Sequence, residues 1–450
     1  MGSETFSRQD LELTIIIHFK SLNTLNKISL YKLLLGLAAL FLIAALIMVF
    51  TGNIEKTGPL FIIFFISLAI GIRGFQAVKG LSYTVLIFTA VTASMFYPQL
   101  FTSIGTFQLK TLIVPLLQVI MFGMGSQMSL NDFTGVIKMP KGVIIGVSSH
   151  YLIMPLVGFA IANLFDFPPE IKAGIILIGC VPSGLASNVM SYIAHANLAL
   201  AVTIGAISTL LSPLVTPFLM KWLGGQFIEV NFWNMMLDIL NMIILPIVAG
   251  FIFNLFSKGK EKLRVKVIQL SIYFVVIVLT NLVYVKSKHS DISGFFAAMI
   301  KSLIWFYLLP MAGAAALRYF LKENNQWLTK LLSFISMAGI AVIITIITAT
   351  GRESLLKVGA LLIITSLLHN LAGYTLGYSV SWIAGMPEKD RRTVAFEVGM
   401  QNGGLASGLA LQMGKVATVG LAPAIFGPLM NVTGSALASW WRSKPPKQKP

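Results

Sequence analysis

Residues 396–410 combine an acid, two amides and four glycines within an otherwise strongly apolar chain. Glu397 follows a basic run, Lys389, Arg391 and Arg392, which we expect to mark a membrane surface. The carboxyl group would then lie a turn or more inside the bilayer, where an ionised side chain needs a partner or a function. The glycines weaken a helix beside these polar groups, and a broken helix frees carbonyls and helix ends to bind ions. The stretch therefore predicts a cation or proton site.

A second stretch, residues 180–192, has the same character. The sequence Gly-Leu-Ala-Ser occurs at 184–187 and again at 404–407, and Pro182 removes a helical hydrogen-bond donor just before the first copy. Two interrupted apolar segments in matching halves of a chain indicate a binding site where the halves meet. The alternative interpretation is that small residues only allow close helix packing. It accounts for the glycine and alanine, but not for the acid, amides and hydroxyls beside them.

The composition excludes an ordinary soluble protein. Hydrophobic residues make up 56% of the 450 residues and charged residues 11%, with a mean hydropathy of +0.84, whereas a soluble domain has roughly 25% charged residues. The net charge of +17 comes from short loops between apolar runs, a distribution typical of membrane proteins rather than of nucleic-acid binding. No polar interval is long enough for a soluble catalytic domain, so we expect no enzyme. The single cysteine, Cys180, excludes an intrachain disulfide.

Fourteen apolar runs approach the roughly 20 residues that a membrane-spanning helix needs. They predict an all-α polytopic membrane protein. The runs lie at about 30–51, 58–78, 81–100, 110–128, 142–164, 172–193, 197–220, 234–256, 265–285, 295–317, 329–350, 355–384, 392–413 and 418–440.

The loops between these runs favour one orientation. If all fourteen runs span, lysine and arginine are about twice as frequent in the loops on the side of the N-terminus, which predicts cytoplasmic N- and C-termini. Residues 1–29 are polar and mixed, and no A-x-A site follows the first apolar run, so no cleavable leader is expected. We expect an integral, multi-pass protein of the plasma (inner) membrane, with the lipid bilayer as one partner.

Several stretches carry a specific resemblance when they are taken together and in order. They are Phe-Gly-Met-Gly at 122–125, Tyr-Leu-Ile-Met-Pro at 151–155, 179–192, 208–217, Ile-Ile-Leu-Pro at 243–246, Leu-His-Asn at 368–370 with Gly-Tyr at 373–374, 391–406, and Asn-Val-Thr-Gly-Ser at 431–435. This set resembles the bile acid:sodium symporter family over about 81–257 and 329–440. The resemblance implies two inverted five-helix repeats, with a core domain that holds two crossed broken helices and a panel domain that moves against it.

The resemblance also implies a division of the chain. Residues 1–80 would form an N-terminal tail and an extra transmembrane pair, 81–228 the first inverted repeat, and 229–450 the second repeat with a pair inserted at about 265–317. Each extra helix pair adds an even number of spans, so the common core keeps its orientation. For these pairs we expect only peripheral packing or oligomer contacts.

The family's first sodium site maps onto this chain with two departures. It would consist of Ser187, Asn188 and Glu397, and Ala201 and Gly205 stand where relatives carry hydroxyl ligands. Losing two oxygen donors should weaken sodium binding, since a buried ion needs matched ligands. We therefore expect at most one sodium ion to bind.

The second sodium site gains a titratable group. The resemblance assigns Glu397, Gln401 and the carbonyls of Val398 and Met400 to it, and His150 replaces the family's glutamine. His150 is either a neutral packed residue or a group that titrates near physiological pH. We expect sodium, protons or both as coupling ions, and no cofactor.

The candidate substrate residues are Ser183, Leu185, Asn402, Gly404 and Asn431. Relatives carry a threonine at the position of Leu185 and a histidine just before Asn431, where this chain has a methionine. The resemblance thus implies a small organic anion without favouring bile acids. The predicted function is secondary active transport of that anion by alternating access. Two alternatives remain, a non-transporting membrane sensor with the same fold and a soft-metal or arsenite-type exporter that uses the one cysteine.

Overall fold

The computed structural model describes residues 8–75, 78–128, 135–258, 262–321 and 326–444. Strands among these residues are limited to an antiparallel pair of two-residue segments, Ser103–Ile104 and Phe107–Gln108. The prediction of an all-α protein is therefore confirmed. The chain packs as two compact units, Met1–Phe96 and Tyr97–Pro450.

The fourteen apolar runs correspond to fourteen helical segments, of which two are broken in the middle. Ten helices within the described ranges are long and apolar enough to cross a membrane, and two more are shorter apolar helices. The segments are α1 (Arg8–Phe50), α2 (Gly58–Gly71), α3 (Ser82–Phe96), α4 (Ile113–Gly125), α5 (Pro140–Leu164), α6a (Pro169–Cys180) with α6b (Ala186–Ile193), α7 (Leu198–Leu223), α8 (Phe232–Ile239 and Leu245–Lys258, joined by the π-helical turn Leu240–Ile244), α9 (Leu263–Lys288), α10 (Ile292–Leu303 and Leu309–Leu321, joined by the π-helical turn Ile304–Leu308), α11 (Gln326–Thr350), α12 (Arg352–Ile383), α13a (Glu388–Gly399) with α13b (Gly403–Gln412), and α14 (Leu421–Arg442).

The first unit consists of α1, α2 and α3, which pack through small residues. Gly71 of α2 faces α1 so closely that a Cβ there would lie 2.8 Å from the Leu35 side chain. At the start of α3, the Ser82 hydroxyl donates to the Ala69 carbonyl oxygen of α2 at 2.8 Å and accepts from Arg73 Nε at 2.9 Å. The structure therefore groups α3 with the two helices of the predicted N-terminal pair.

In the second unit, two trios share one order of elements: long helix, broken helix, long helix. They are α5–α6–α7 and α12–α13–α14. In each trio a glycine brings the first long helix against the broken one, since a Cβ on Gly179 would lie 2.5 Å from the Met154 carbonyl oxygen and one on Gly373 2.8 Å from the Cα of Gly399. If every segment crosses the bilayer, α5 is the fifth crossing and α12 the twelfth, so the trios run in opposite directions, as inverted repeats require. The repeat limits, 81–228 and 229–450, remain predictions.

Helices α4, α8 and α11 pack together as a second group, here called the panel group. Gly125 of α4 and Gly250 of α8 meet reciprocally. A Cβ on Gly125 would lie 2.2 Å from the Ile247 carbonyl oxygen, and one on Gly250 would lie 2.4 Å from the Phe122 carbonyl oxygen. The two backbones are therefore in direct contact, a spacing that only glycine permits.

The inserted pair predicted at about 265–317 corresponds to α9 and α10. Leu245 of α8, Ile277 of α9 and Met299 of α10 form a small apolar cluster of their own. Tyr273 of α9 also stacks on Phe251 of α8, with ring centroids 5.7 Å apart. The inserted pair is thus attached to the panel group through α8.

The reciprocal glycines give a direct test of this packing. We expect Gly250→Ala to destabilise the protein by about 1–3 kcal/mol, the usual cost of overpacking, because the clash is with backbone that no rotamer change relieves. Thermal unfolding of purified protein in detergent measures this loss. Gly313→Ala is the matched control, since a Cβ at Gly313 meets no heavy atom within 4 Å and alanine favours the helix. Equal melting temperatures for the two variants would contradict the packing.

Candidate functional site

The two broken helices cross at their breaks. After α6a the chain is extended at Val181, and after α13a it is extended at Met400. The extended segments pair antiparallel through two hydrogen bonds, from the Gly184 amide to the Met400 carbonyl oxygen at 3.0 Å and from the Asn402 amide to the Pro182 carbonyl oxygen at 2.9 Å. A Cβ on Gly184 would lie 2.6 Å from the Gln401 carbonyl oxygen, so the crossing itself requires this glycine.

Glu397 lies at this crossing, in the last turn of α13a, and is fully buried. The Ser183 hydroxyl donates to its Oε2 at 2.6 Å and the Ser187 hydroxyl to its Oε1 at 2.5 Å. None of the ion pairs in the described part of the chain includes this carboxylate. Ser187 belongs to the first turn of α6b, whose positive end faces the acid. A buried carboxylate without a basic partner requires a bound cation or a proton.

Room for a ligand remains beside this carboxylate, on the side of α7. A Cβ on Gly205 would approach only Glu397 Oε2, at 3.6 Å, and would meet no other heavy atom within 4 Å. Ala201, one turn earlier, is buried and brings no oxygen. The Asn188 Oδ1 is buried and has no hydrogen-bond partner in the described ranges. The carboxylate, hydroxyl and free amide oxygens suit a hard cation such as sodium, but two side-chain ligands are absent from the α7 side.

His150 connects both breaks from α5. Its Nε2 lies 2.9 Å from the Val181 carbonyl oxygen and its Nδ1 lies 2.9 Å from the Glu397 carbonyl oxygen. A neutral imidazole can donate to only one of these oxygens, whereas an imidazolium donates to both. In either form both ring nitrogens face carbonyls, so the ring offers no free nitrogen to a cation.

The rest of the second predicted ion site keeps one free oxygen. Gln401 is fully buried, and its Nε2 donates to the Val398 carbonyl oxygen at 2.7 Å. Its Oε1 has no partner in the part of the chain that is described. The Met400 carbonyl already accepts from the crossing strand, although a carbonyl oxygen has a second lone pair. The structure thus brings Glu397, Gln401 and His150 together. The histidine holds the two breaks through their carbonyl oxygens and does not face the ion site with a free nitrogen.

The predicted substrate residues surround the same crossing. Asn402 caps α13b, because its Oδ1 accepts from the Leu405 amide at 3.0 Å. Leu185 stands at the start of α6b with 44% of its surface exposed, and the half-buried Asn431 follows a methionine whose Sδ accepts from the Gln401 amide at 3.3 Å. The N-termini of α6b and α13b therefore meet at one point, an arrangement that favours a negative group.

Sequence reasoning missed how the freed carbonyls are satisfied. Thr216 of α7 donates to the Cys180 carbonyl oxygen at 2.7 Å, and Asn370 of α12 donates to the Gly399 carbonyl oxygen at 2.8 Å. Thr433 of α14 holds the same Asn370 side chain at 2.5 Å. The Leu-His-Asn motif at 368–370 was a sequence signal for Asn370, but it did not identify the Gly399 carbonyl as the partner of that side chain. Ser183, predicted as a substrate residue, is engaged by Glu397.

The second halves of the two broken helices, α6b and α13b, differ in their surroundings. Leu185, Val189 and Tyr192 form one face of α6b and are 44%, 54% and 70% exposed. In contrast, α13b is covered by the panel group, because Cβ atoms on Gly404 and Gly408 would lie 3.2 and 2.9 Å from the Leu117 side chain of α4. The site is thus uncovered along α6b and closed along α13b.

Arg392 marks the end of the core to which α6b leads, here called the uncovered end. Its guanidinium donates to the Ala194 carbonyl oxygen just after α6b and to the Trp441 carbonyl oxygen of α14, both at 3.1 Å. It also pairs with Glu388 at 2.8 Å. The predicted basic run thus includes a buried arginine that fastens three helix ends together.

Comparison with known proteins identifies the family. A model of the Sodium Bile acid symporter family matches residues 114–292. The protein named uncharacterized sodium-dependent transporter YocS from Bacillus subtilis (strain 168) is 31% identical over 379 residues, which cover 84% of this chain and 96% of that protein. This chain belongs to the sodium bile acid symporter family. Its family and these relatives are transporters rather than enzymes, so the expectation of no enzyme is confirmed.

Other members are more distant. The probable sodium/metabolite cotransporter BASS1, chloroplastic, of Arabidopsis thaliana is 27% identical and covers 74% of this chain and 67% of its own length. The ileal sodium/bile acid cotransporter of Homo sapiens is 26% identical, with 68% and 71% covered. Among solved structures, the sodium proton antiporter MjNhaP1 from Methanocaldococcus jannaschii aligns over 92% of this chain and 98% of its own at 12% identity, with a TM-score of 0.41 that defines no common fold.

Within this symporter family, the space at Gly205 gives a gain-of-function test. We expect Gly205→Ser to strengthen sodium binding roughly tenfold, because the hydroxyl would add one oxygen ligand to the ion, and a comparable polar contact to a charged group contributes about 1.5 kcal/mol. Binding of radioactive sodium to the purified protein measures the dissociation constant. Gly205→Ala adds the Cβ without the oxygen and should bind like the wild type. Equal affinities for the serine and alanine variants would show that sodium does not bind on the α7 side of Glu397.

Proposed function

We propose that this protein is a secondary active transporter of a small organic anion, coupled to sodium, protons or both. The observation that carries the proposal is the fully buried Glu397 carboxylate, held by two serine hydroxyls at the crossing of two broken helices. The charge of an acid placed there is balanced only when sodium or a proton is bound. Cation binding would therefore be linked to the arrangement of the two broken helices. The sodium-dependent names of the relatives support sodium as a coupling ion.

The anion would bind where the N-termini of α6b and α13b meet. Two helix N-termini and the cation at Glu397 together supply the positive potential that a carboxylate needs. Asn402 and Asn431 provide amide groups nearby, and Gly404 lets the side chain of Leu117 approach the same helix start. The apolar Leu185 stands at the mouth of this site. We therefore assign a small carboxylate as the substrate, in preference to a bile acid. Ser183 would not contact this substrate directly but would position Glu397, to which its hydroxyl donates.

Alternating access would come from movement of the two trios against the panel group. In the described conformation α6b is uncovered and α13b is packed on Leu117 and on Met242 of the π-helical turn in α8. The opposite state would cover α6b and uncover α13b. Glycines on α13b allow this exchange, because they present a smooth face to the panel group.

The lost hydroxyls at Ala201 and Gly205 favour a second candidate, a membrane sensor that keeps the fold and binds its ligands without moving them. Such a protein would still bind a cation and an anion at the crossing. Its α13b would stay packed on the panel group in every ligand state. Transport and sensing therefore differ in flux and not in binding.

Flux measurements separate these two functions. Purified protein is reconstituted in liposomes, and carboxylates that raise its thermal stability are offered in radiolabelled form under sodium and proton gradients. We expect gradient-driven uptake in the wild type. Glu397→Gln should fold and insert but lose this uptake, because glutamine keeps the size of the acid and one acceptor oxygen without its charge. The control is Glu353→Gln, which makes the same change on the exposed first turn of α12 and should keep wild-type uptake. Binding without uptake under any gradient would favour the sensor, and full uptake by Glu397→Gln would exclude this acid from coupling.

We further propose that the protein resides in the plasma (inner) membrane with both termini in the cytoplasm. The excess of lysine and arginine on one side supports this orientation. The uncovered end, which holds Arg392 and the end of α14, would then face the cytoplasm. The described conformation would be inward-facing.

Thiol labelling tests this orientation. Cys180 is the only native cysteine and is buried, so the background is low. We expect Asp166→Cys, in the loop between α5 and α6a, to react with an impermeant maleimide added to intact cells. Lys262→Cys, just before α9, should react only after the membrane is permeabilised. Both positions are exposed, so the reverse pattern would invert the proposed topology.

A further inference from the structure

One buried hydroxyl on α6b has no hydrogen-bond partner among the described residues. Ser191 is completely buried, and its Oγ makes no hydrogen bond within the described ranges. Buried hydroxyls in folded proteins are almost always paired, so an unpaired one calls for an explanation. In a family of ion-coupled transporters, a hydroxyl that faces no protein partner is free to bind an ion.

Ser191 lies one helical turn from the candidate ion site. Ser187, four residues earlier, shares its face of α6b and donates to Glu397. On α13a, Thr393 stands one turn before Glu397 in the same way. Because α6b leads away from the crossing and α13a leads toward it, Ser191 lies one turn beyond Ser187 and Thr393 one turn before Glu397, each about 5 Å along its helix axis. Both are displaced toward the uncovered end.

Polar groups continue from Thr393 to the surface. The Thr393 hydroxyl accepts from the Asn197 amide at 2.9 Å, and its one hydrogen faces the carbonyl oxygens of Asn197 and Lys389, both at 3.1 Å. Asn197 lies between α6b and α7, and its Nδ2 donates to Asp390 Oδ1 at 2.8 Å. Asp390 is half-exposed in the first turn of α13a. The neighbouring Arg392 is held by Glu388 and by backbone carbonyls, which balance its charge. We call the series Ser187, Ser191, Thr393, Asn197 and Asp390 the polar line.

The other half of the core keeps the two ends of this line but not its middle, since Ser407 corresponds to Ser187 and Glu170 to Asp390. Counting from the matched Gly184 and Gly404, the position of Ser191 corresponds to Leu411 in α13b, and that of Thr393 corresponds to Ala173 in α6a. The Ser191 and Thr393 hydroxyls are therefore not a by-product of the repeat. At the matched positions they occur only toward the end where α6b is uncovered.

We propose that the polar line is the route by which sodium leaves Glu397 toward the uncovered end, with Ser191 as the transit ligand. This proposal rests on the proposed sodium coupling. The ion would exchange the oxygens around Glu397 for Ser191 Oγ and the oxygens near Thr393, and would then reach Asp390. A hydroxyl that serves an ion only in transit lowers the barrier in both directions and leaves the affinity of the resting site unchanged.

Sodium binding kinetics test the route. The full-length protein in detergent is mixed with sodium, or diluted from it, and the rates are followed with radioactive sodium or tryptophan fluorescence. We expect Ser191→Ala and the isosteric Thr393→Val to slow association and dissociation together, by roughly tenfold, with an unchanged dissociation constant. Thr393→Ser keeps the hydroxyl and should restore the rates. A folding defect would lower the amount of sodium bound, and would not slow both rates equally at constant affinity.

Ser407→Ala is the matched control. Ser407 corresponds to Ser187 by the same count, is buried, and bonds within α13b to the Gly403 carbonyl oxygen at 2.7 Å. Its removal should leave both rates unchanged. Wild-type rates in Ser191→Ala and Thr393→Val, or a weaker affinity at an unchanged association rate, would overturn the route alone. A wild-type protein that binds no sodium at all would overturn sodium coupling together with the route.

Discussion

Two helices broken inside a membrane protein leave carbonyls and amides without a partner in their own helix, and the structure depends on satisfying them. Each α-helix end leaves several backbone groups without an intrahelical partner, and in a bilayer each such group is costly. Here the breaks satisfy one another through two backbone hydrogen bonds. Neighbouring helices supply the rest, with Thr216 on the first break, Asn370 on the second and His150 on both.

This constraint explains the residue types around Glu397. The serines that hold its carboxylate come from the first break and the start of α6b, so the acid of one broken helix depends on the hydroxyls of the other. Binding or release of a cation at Glu397 therefore changes the contacts between both broken helices. His150, which touches carbonyls on both sides, makes the same two elements depend on α5.

Much of this arrangement follows from sequence patterns. Apolar runs of membrane length predicted the fourteen segments, and Pro182 with the glycines at 184 and 403 predicted both breaks, since these residues act locally. Glu397 was predicted because an acid in an apolar run requires a function. The resemblance placed Ser187 in one ion site with Glu397, but it did not identify Ser183 as a partner of the acid. Ser183 lies 214 residues from Glu397 along the chain, in a non-helical segment where no periodicity assigns a face. The unpaired oxygens of Asn188, Ser191 and Gln401 likewise appear only in three dimensions.

The glycines of the second unit fall into two kinds with different mechanical effects. At Gly125, Gly250 and Gly179 the added Cβ would meet backbone, whereas at Gly404 and Gly408 it would meet the flexible ends of Leu117 and Met242. Backbone contacts fix a distance to a fraction of an ångström, but side-chain tips can slide over a bare helix surface. Contacts within each group are therefore rigid, whereas the contact between α13b and the panel group can slide. Any force that displaces the trios relative to the panel group would cause movement along α13b.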